Sequence, residues 1–136
     1  MDRARKGIAV DALYKILYIP LLMTDPKPVE FRGSALEDLR AFPQAARREA
    51  GYQLNRVQRG READDWKPMN SVGQGVKEIR IRDATGAFRV MYVAKFADAV
   101  YVLHAFPKKS RRTSRRDIAI AEMRLRTLKQ SMSIMR

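Results

Sequence analysis

The sequence predicts a small α+β domain: an antiparallel sheet with two helices before it and one after it. Three observations predict it. Between residues 34 and 60, apolar positions recur at helical spacing and are bracketed by helix-start and helix-stop residues. From 76 to 106, apolar segments of strand length are separated by short turns. From 114 to 129, helical spacing returns.

The elements follow in order. Pro26 and Pro28 break any helix entering from the N-terminus. Val29-Glu30-Phe31-Arg32 reads as a short strand ending at Gly33. Ser34 with Glu37 forms a capping-box pattern, and Leu36, Leu39 and Phe42 share one helical face. Pro43 suits the first turn of a second helix, whose apolar face is Ala46, Ala50, Leu54 and Val57. Arg47, Arg48, Arg56 and Arg59 face outward, and Gly60 marks the stop.

Residues 61–75 hold Pro68, Gly73 and Gly75 and read as a loop anchored on the core by Trp66. Val76 to Arg82 alternates, with Ile79 and Ile81 on one face and Glu78, Arg80 and Arg82 on the other. Asp83-Ala84-Thr85-Gly86 is a hairpin turn. Ala87 to Phe96 is the next strand, with Phe88, Val90, Tyr92 and Ala94 opposite Arg89, Met91, Val93 and Lys95. After a tight turn at Ala97-Asp98, Ala99 to Phe106 is apolar on both faces, as a central strand should be. Pro107 is expected to end it by removing a ladder donor. Ser114 and Asp117 cap a last helix, on which Ile118, Ala121, Leu125 and Leu128 recur to about Lys129. The helices are expected on one side of the sheet. Residues 1–26 read as an N-terminal extension with Met23 as an alternative start, 27–129 as the domain, and 130–136 as a frayed tail.

The 136 residues suffice for one modest core, and 46% apolar content favours folding over disorder. The formal charge of +13 and pI near 10.6 point to a polyanionic partner. With no cysteine and His104 as the single histidine, disulfides, thiolate metal sites and imidazole-rich zinc sites are excluded. No stretch of eighteen apolar residues exists, and Lys15 interrupts a signal-like N-terminal run that lacks a small-residue cleavage site. A membrane partner is therefore not expected, and a cytoplasmic protein is. No P-loop, dinucleotide fingerprint, paired-carboxylate site or nucleophilic-serine arrangement occurs.

The cations are concentrated. After the last strand, six of the nine residues from Lys108 to Arg116 are Lys or Arg. Alternation also points Arg80 and Arg89 off two neighbouring strands onto one face. Guanidinium forks match phosphate oxygens, and lysine adds compact charge. Such a set could bind RNA or cleave it. Cleavage needs a proton acceptor for the 2′-hydroxyl, a donor for the leaving 5′-oxygen, and cations for the developing charge. His104 titrates nearest neutrality. It shares strand parity with Val102 and Phe106, so a packed histidine and a catalytic one are equally compatible with the pattern.

Four segments together carry a family resemblance: Asp65-Trp66-Lys67-Pro68-Met69, Gly75 to Arg82, Gly86 to Tyr92, and Leu103-His104-Ala105-Phe106-Pro107-Lys108-Lys109-Ser110. Over about residues 27–129 the chain resembles the RelE/HigB superfamily of type II toxin–antitoxin toxins, in particular its phage-derived HigB-like branch. The resemblance implies a microbial-ribonuclease-like fold and a ribosome-dependent mRNA endoribonuclease needing no metal or other cofactor. It implies a helix-turn-helix antitoxin as partner, with operator DNA bound only through the antitoxin complex. By position it implies Arg80, Arg89, His104 and Lys109 as catalytic residues. Lys77, Arg82, Lys108, Arg111, Arg112, Arg115 and Arg116 would contact RNA. In one respect the chain departs from the pattern. Many RelE-type nucleases carry a tyrosine or histidine near the C-terminus, whereas Ser114 to Lys129 has neither. The alternatives are a ParE-like gyrase-poisoning toxin without nuclease activity, or a non-toxic nucleic-acid-binding module.

Overall fold

The computed structural model describes residues 26–134, so the reading of the N-terminal extension lies outside the described residues. Its strands are β1 (Val29–Phe31), β2 (Trp66–Pro68), β3 (Val76–Asp83), β4 (Gly86–Val93) and β5 (Val100–Lys108). Its helices are α1 (Ala35–Arg40), α2 (Gln44–Gln58) and α3 (Arg115–Ile134). The strands form one sheet in the order β1-β5-β4-β3-β2. The α+β class and the order of helices and main strands are as expected. The sheet is mixed rather than wholly antiparallel, because β1 runs parallel to β5, with Val29 opposite Val100 and Phe31 opposite Val102.

The helices lie on both faces of the sheet, not on one side. The reason is in the strands: β4 and β5 are apolar on both faces, and each face needs a cover. Leu39, Ala46, Ala50, Leu54 and Val57 of α1 and α2 pack with Ile79, Ile81, Phe88, Val90 and Tyr92. Ala121, Leu125 and Leu128 of α3 pack on the other face with Val76, Met91, Val93, Tyr101 and Leu103.

Other boundaries differ for local reasons. Ser34 makes no side-chain cap bond to α1. Its hydroxyl donates to Asp38 Oδ2 at 2.7 Å and accepts from Arg124 Nη2 at 3.0 Å. Pro43 sits just before α2 rather than within its first turn. The expected loop contains β2, three residues pairing Trp66 with Ile79, too short to show alternation. Pro68 is tolerated there because β2 is an edge strand. Trp66 packs on the core, with Lys77 Nζ 4.5 Å from its ring centroid. Pro107 stays inside β5, opposite Phe88. β1 reaches only Val102 on the far side, so no strand there requires the missing donor. β4 stops at Val93, and the Ala94 and Phe96 carbonyls each accept from Lys27 Nζ at 2.8 Å. The tail is helical rather than frayed through Ile134, because Met132 packs against the second core cluster.

One irregularity changes the facing of everything beyond it. Met91 pairs with His104 but Tyr92 pairs with Val102, so Leu103 is an extra residue in β5. It is a β-bulge. Before it, Val100 and Val102 face the α1–α2 side, while Tyr101 and Leu103 face α3. After it, Ala105 faces α1–α2 and Phe106 faces α3. Leu103 and His104 thus both turn to the α3 side. His104 shares its face with Phe106 but not with Val102, which corrects the parity read from the sequence.

Candidate nucleic-acid interface

α3 covers only part of its face of the sheet. Beyond it the register lays out cross-strand rows. Arg80, Arg89 and Phe106 form one row. Lys67, Glu78, Met91 and His104 form the next, and Arg82, Ala87 and Lys108 the one on the other side. Two arginines directly opposite each other repel, so this arrangement carries a cost unless an anion offsets it. Arg80 is exposed, with Nη1 4.0 Å from Asp65 Oδ1.

Arg89 is 7% exposed, and Glu78 beside it is fully buried at 0%. Arg89 Nε stands 3.6 Å from Glu78 Oε1, and Lys67 Nζ is 3.9 Å from the same oxygen. The other Glu78 oxygen accepts from Thr113 Oγ1 at 3.1 Å. Glu78 Oε1 and Arg89 Nε have no hydrogen-bond partner. Burial lowers the Arg89 pKa first, Glu78 opposes that, and Arg80 and Arg82 lower it further. Burial and then the Arg89 charge lower that of Lys108. The Lys108 ammonium folds back onto the Ser110 and Arg111 carbonyls, which ties the start of the basic loop to its own backbone.

His104 is buried against Phe106, the rings stacked with centroids 4.7 Å apart. Its Nε2 lies 2.7 Å from Asp117 Oδ1. The other Asp117 oxygen accepts from Ser114 Oγ at 2.7 Å, and Ser114 Oγ accepts from the Asp117 N–H at 3.1 Å. The expected cap of the last helix is therefore present, and it also fixes the carboxylate that meets His104. Burial lowers the His104 pKa, with Asp117 opposing. With Nε2–H donating to Asp117, the lone pair resides on Nδ1, which has no partner.

A cleft of about 650 Å³ lies between α1, the end of β5 and the start of α3. His104, Lys108, Lys109, Arg112 and Arg116 line it, but Arg80 and Arg89 do not. The expected site residues thus fall into two neighbouring groups. Arg80 and Arg82, both exposed, and the buried Arg89 share one sheet face with Lys108. His104 and Lys109 belong to the cleft, which Lys108 joins from the sheet side. Arg111, Arg112, Arg115 and Arg116 are exposed in the loop and first turn after β5. Lys77 is separated from all of these. It lies on the opposite face over Trp66 and is paired with Glu62 Oε1 at 2.9 Å.

Three residues that the sequence pattern does not place in the site belong to this geometry: Lys67, Glu78 and Thr113. Glu78 carries a usable signal, being the one acidic residue on the polar face of a strand otherwise bearing Arg80 and Arg82.

The family model described as phage-derived protein Gp49-like (DUF891) matches residues 37–126. The chain belongs to the Gp49-like family. The matched span contains most of α1, all of α2 and of β2 to β5, and most of α3, with every residue of the site above. The Gp49-like family falls within the HigB/RelE-like toxin–antitoxin grouping. No curated protein matches the chain. Among the described residues, no helix is long and apolar enough to cross a membrane.

Proposed function

We propose that this protein is the toxin of a type II toxin–antitoxin system and acts as a ribosome-dependent, metal-independent mRNA endoribonuclease of the RelE/HigB type. The observation that carries the reading is the cross-strand Arg80–Arg89 pair on the part of the sheet face that α3 does not cover, with Arg80 exposed and Arg89 packed beneath the basic loop. An RNA phosphate there would receive two guanidiniums and relieve their repulsion, with Lys108 adding charge at the strand end. Arg89 is held by Glu78 beside it on the same face, so its position is set before substrate arrives.

In this mechanism the 2′-hydroxyl attacks the adjacent phosphorus while Arg80 and Arg89 stabilise the developing charge. The proton would pass to His104, oriented by Asp117 at Nε2, once the RNA moves the groups that cover its buried Nδ1. Lys109, in the cleft that His104 lines, would donate a proton to the 5′-oxygen as its bond to phosphorus breaks. The natural partners are a helix-turn-helix antitoxin, the ribosome and mRNA, with the cytoplasm as the compartment.

The test is induced expression followed by primer extension on cellular mRNA, repeated with purified ribosomes. New 5′ ends that require ribosomes are expected. Growth arrest with intact transcripts overturns the proposal, and a parallel supercoiling assay then asks whether gyrase is the target.

A further inference from the structure

We propose that Arg124 is a positioning residue: it holds the β5 bulge in the form that turns His104 toward Asp117. Its consequence for cleavage rests on the ribonuclease reading above, whereas the placement of His104 does not.

The bulge inserts Leu103 between the residues that pair with Tyr92 and Met91 in the β4–β5 ladder. An extra residue leaves local backbone groups without ladder partners. The β1 ladder on the other side of β5 ends at the Phe31–Val102 pair. Arg124 Nη1 donates to the Leu103 carbonyl at 2.9 Å instead. Its Nη2 donates to Ser34 Oγ at 3.0 Å, and Ser34 in turn donates to Asp38. The planar fork is therefore fixed at both ends, by the bulge and by the start of α1.

The chain makes room for this. Gly33 has φ +57°, and a Cβ there would stand 2.4 Å from Arg124 Nε. A side chain at 33 would thus be strained in its backbone and would displace the guanidinium. α3 carries both halves of the device. Asp117, Ala121, Arg124 and Leu128 follow helical spacing on one face, and Ala121 and Leu128 are buried against the sheet. The helix that presents the carboxylate to His104 also clamps the residue before His104. The charged groups around the imidazole are Asp117 and Arg124 from α3 and Asp38 from α1.

His104 is the single histidine of the chain, so nitrogen-15 NMR of the imidazole reads it without assignment ambiguity. In the wild type, the neutral ring should carry its proton on Nε2 and titrate below an ordinary histidine. In Arg124→Met, the tautomer preference should fade and the titration should move toward about 6.5. Arg124→Lys, which restores one donor, should fall between. On ribosomes, kcat for Arg124→Met should fall on the order of 10²-fold with little change in KM. A folded Arg124→Met with the wild-type tautomer overturns the proposal whatever its titration, because loss of the Arg124 charge alone raises the His104 pKa. Should that variant not fold, Ser34→Ala loosens the same guanidinium, and an unchanged imidazole spectrum there overturns it equally. If the wild type cuts no mRNA, the ribonuclease reading fails while the imidazole spectra still decide the clamp.

Discussion

Arg89 and Glu78 form a buried ion pair across β4 and β3 in which the closest approach, 3.6 Å, is too long for a hydrogen bond. A buried charge is costly when its partner is removed, and far less so when both are replaced. Arg89 is thus both the candidate phosphate ligand and the group that makes Glu78 tolerable.

Arg89→Ala should therefore abolish toxicity and also destabilise the fold by about 3–5 kcal/mol. Combining it with Glu78→Ala should restore a large part of the stability but none of the toxicity. Denaturant unfolding of the two single variants and the double variant measures the coupling. A single Arg89→Ala variant as stable as wild type would contradict the pair as described.

Arg80 separates the two roles. It is exposed and its nearest acid is 4.0 Å away, so Arg80→Ala should change stability by no more than about 0.5 kcal/mol. Cleavage on ribosomes should still fall on the order of 10²-fold, as when one preorganised charge-stabilising donor is removed. Unchanged cleavage would remove Arg80 from the site.

His104 gives a pH dependence of stability. Burial holds its folded pKa below the unfolded value of about 6.5. Between the two values the unfolded chain binds more protons than the folded one. Stability contributed by the neutral, buried ring is therefore fully present above about 6.5 and declines as pH falls through the window below it. The pH dependence of unfolding, compared between wild type and His104→Gln, checks this. The histidine contribution to the slope should vanish in the variant.

Ribosome or RNA affinity should fall steeply with salt. Replacing Lys108 and Lys109 together by alanine should make the log–log slope shallower by about 0.7 for each phosphate that is no longer neutralised. Lys77→Ala should leave the slope unchanged, because Lys77 lies on the other face, paired with Glu62. A slope that moved with Lys77 and not with the lysine pair would place the RNA on the wrong side of the sheet.

Deleting residues 130–136 tests the end of α3. Met132 packs on the core, so the truncation should cost about 1 kcal/mol in thermal or denaturant unfolding. A tail without structural role would cost nothing.

The main elements are legible in the sequence because their periodicity is strong. The α2 face of Ala46, Ala50, Leu54 and Val57 is buried in full, and the Arg80–Arg89 register follows from alternation through the Asp83 turn. What the sequence hides is set by partners distant along the chain. Ser34 commits its hydroxyl to Asp38 and to Arg124, ninety residues away, instead of capping α1. β2 exists because β3 offers an edge. The facing of His104 depends on a bulge with no glycine or proline to announce it. Glu78 reads as a solvated strand residue as long as its face is taken to be open, whereas the basic loop folds back to reach it through Thr113.

The extra residue in β5 has a genetic consequence. Removing Leu103 would restore an unbroken ladder and leave every functional side chain in the sequence. Val102 and His104 would then be neighbours on opposite faces, already paired with Tyr92 and Met91, so every other side chain of β5 would keep its layer. A one-codon deletion there should therefore keep the layering of β5 and be felt through the lost packing of Leu103 and the lost acceptor for Arg124.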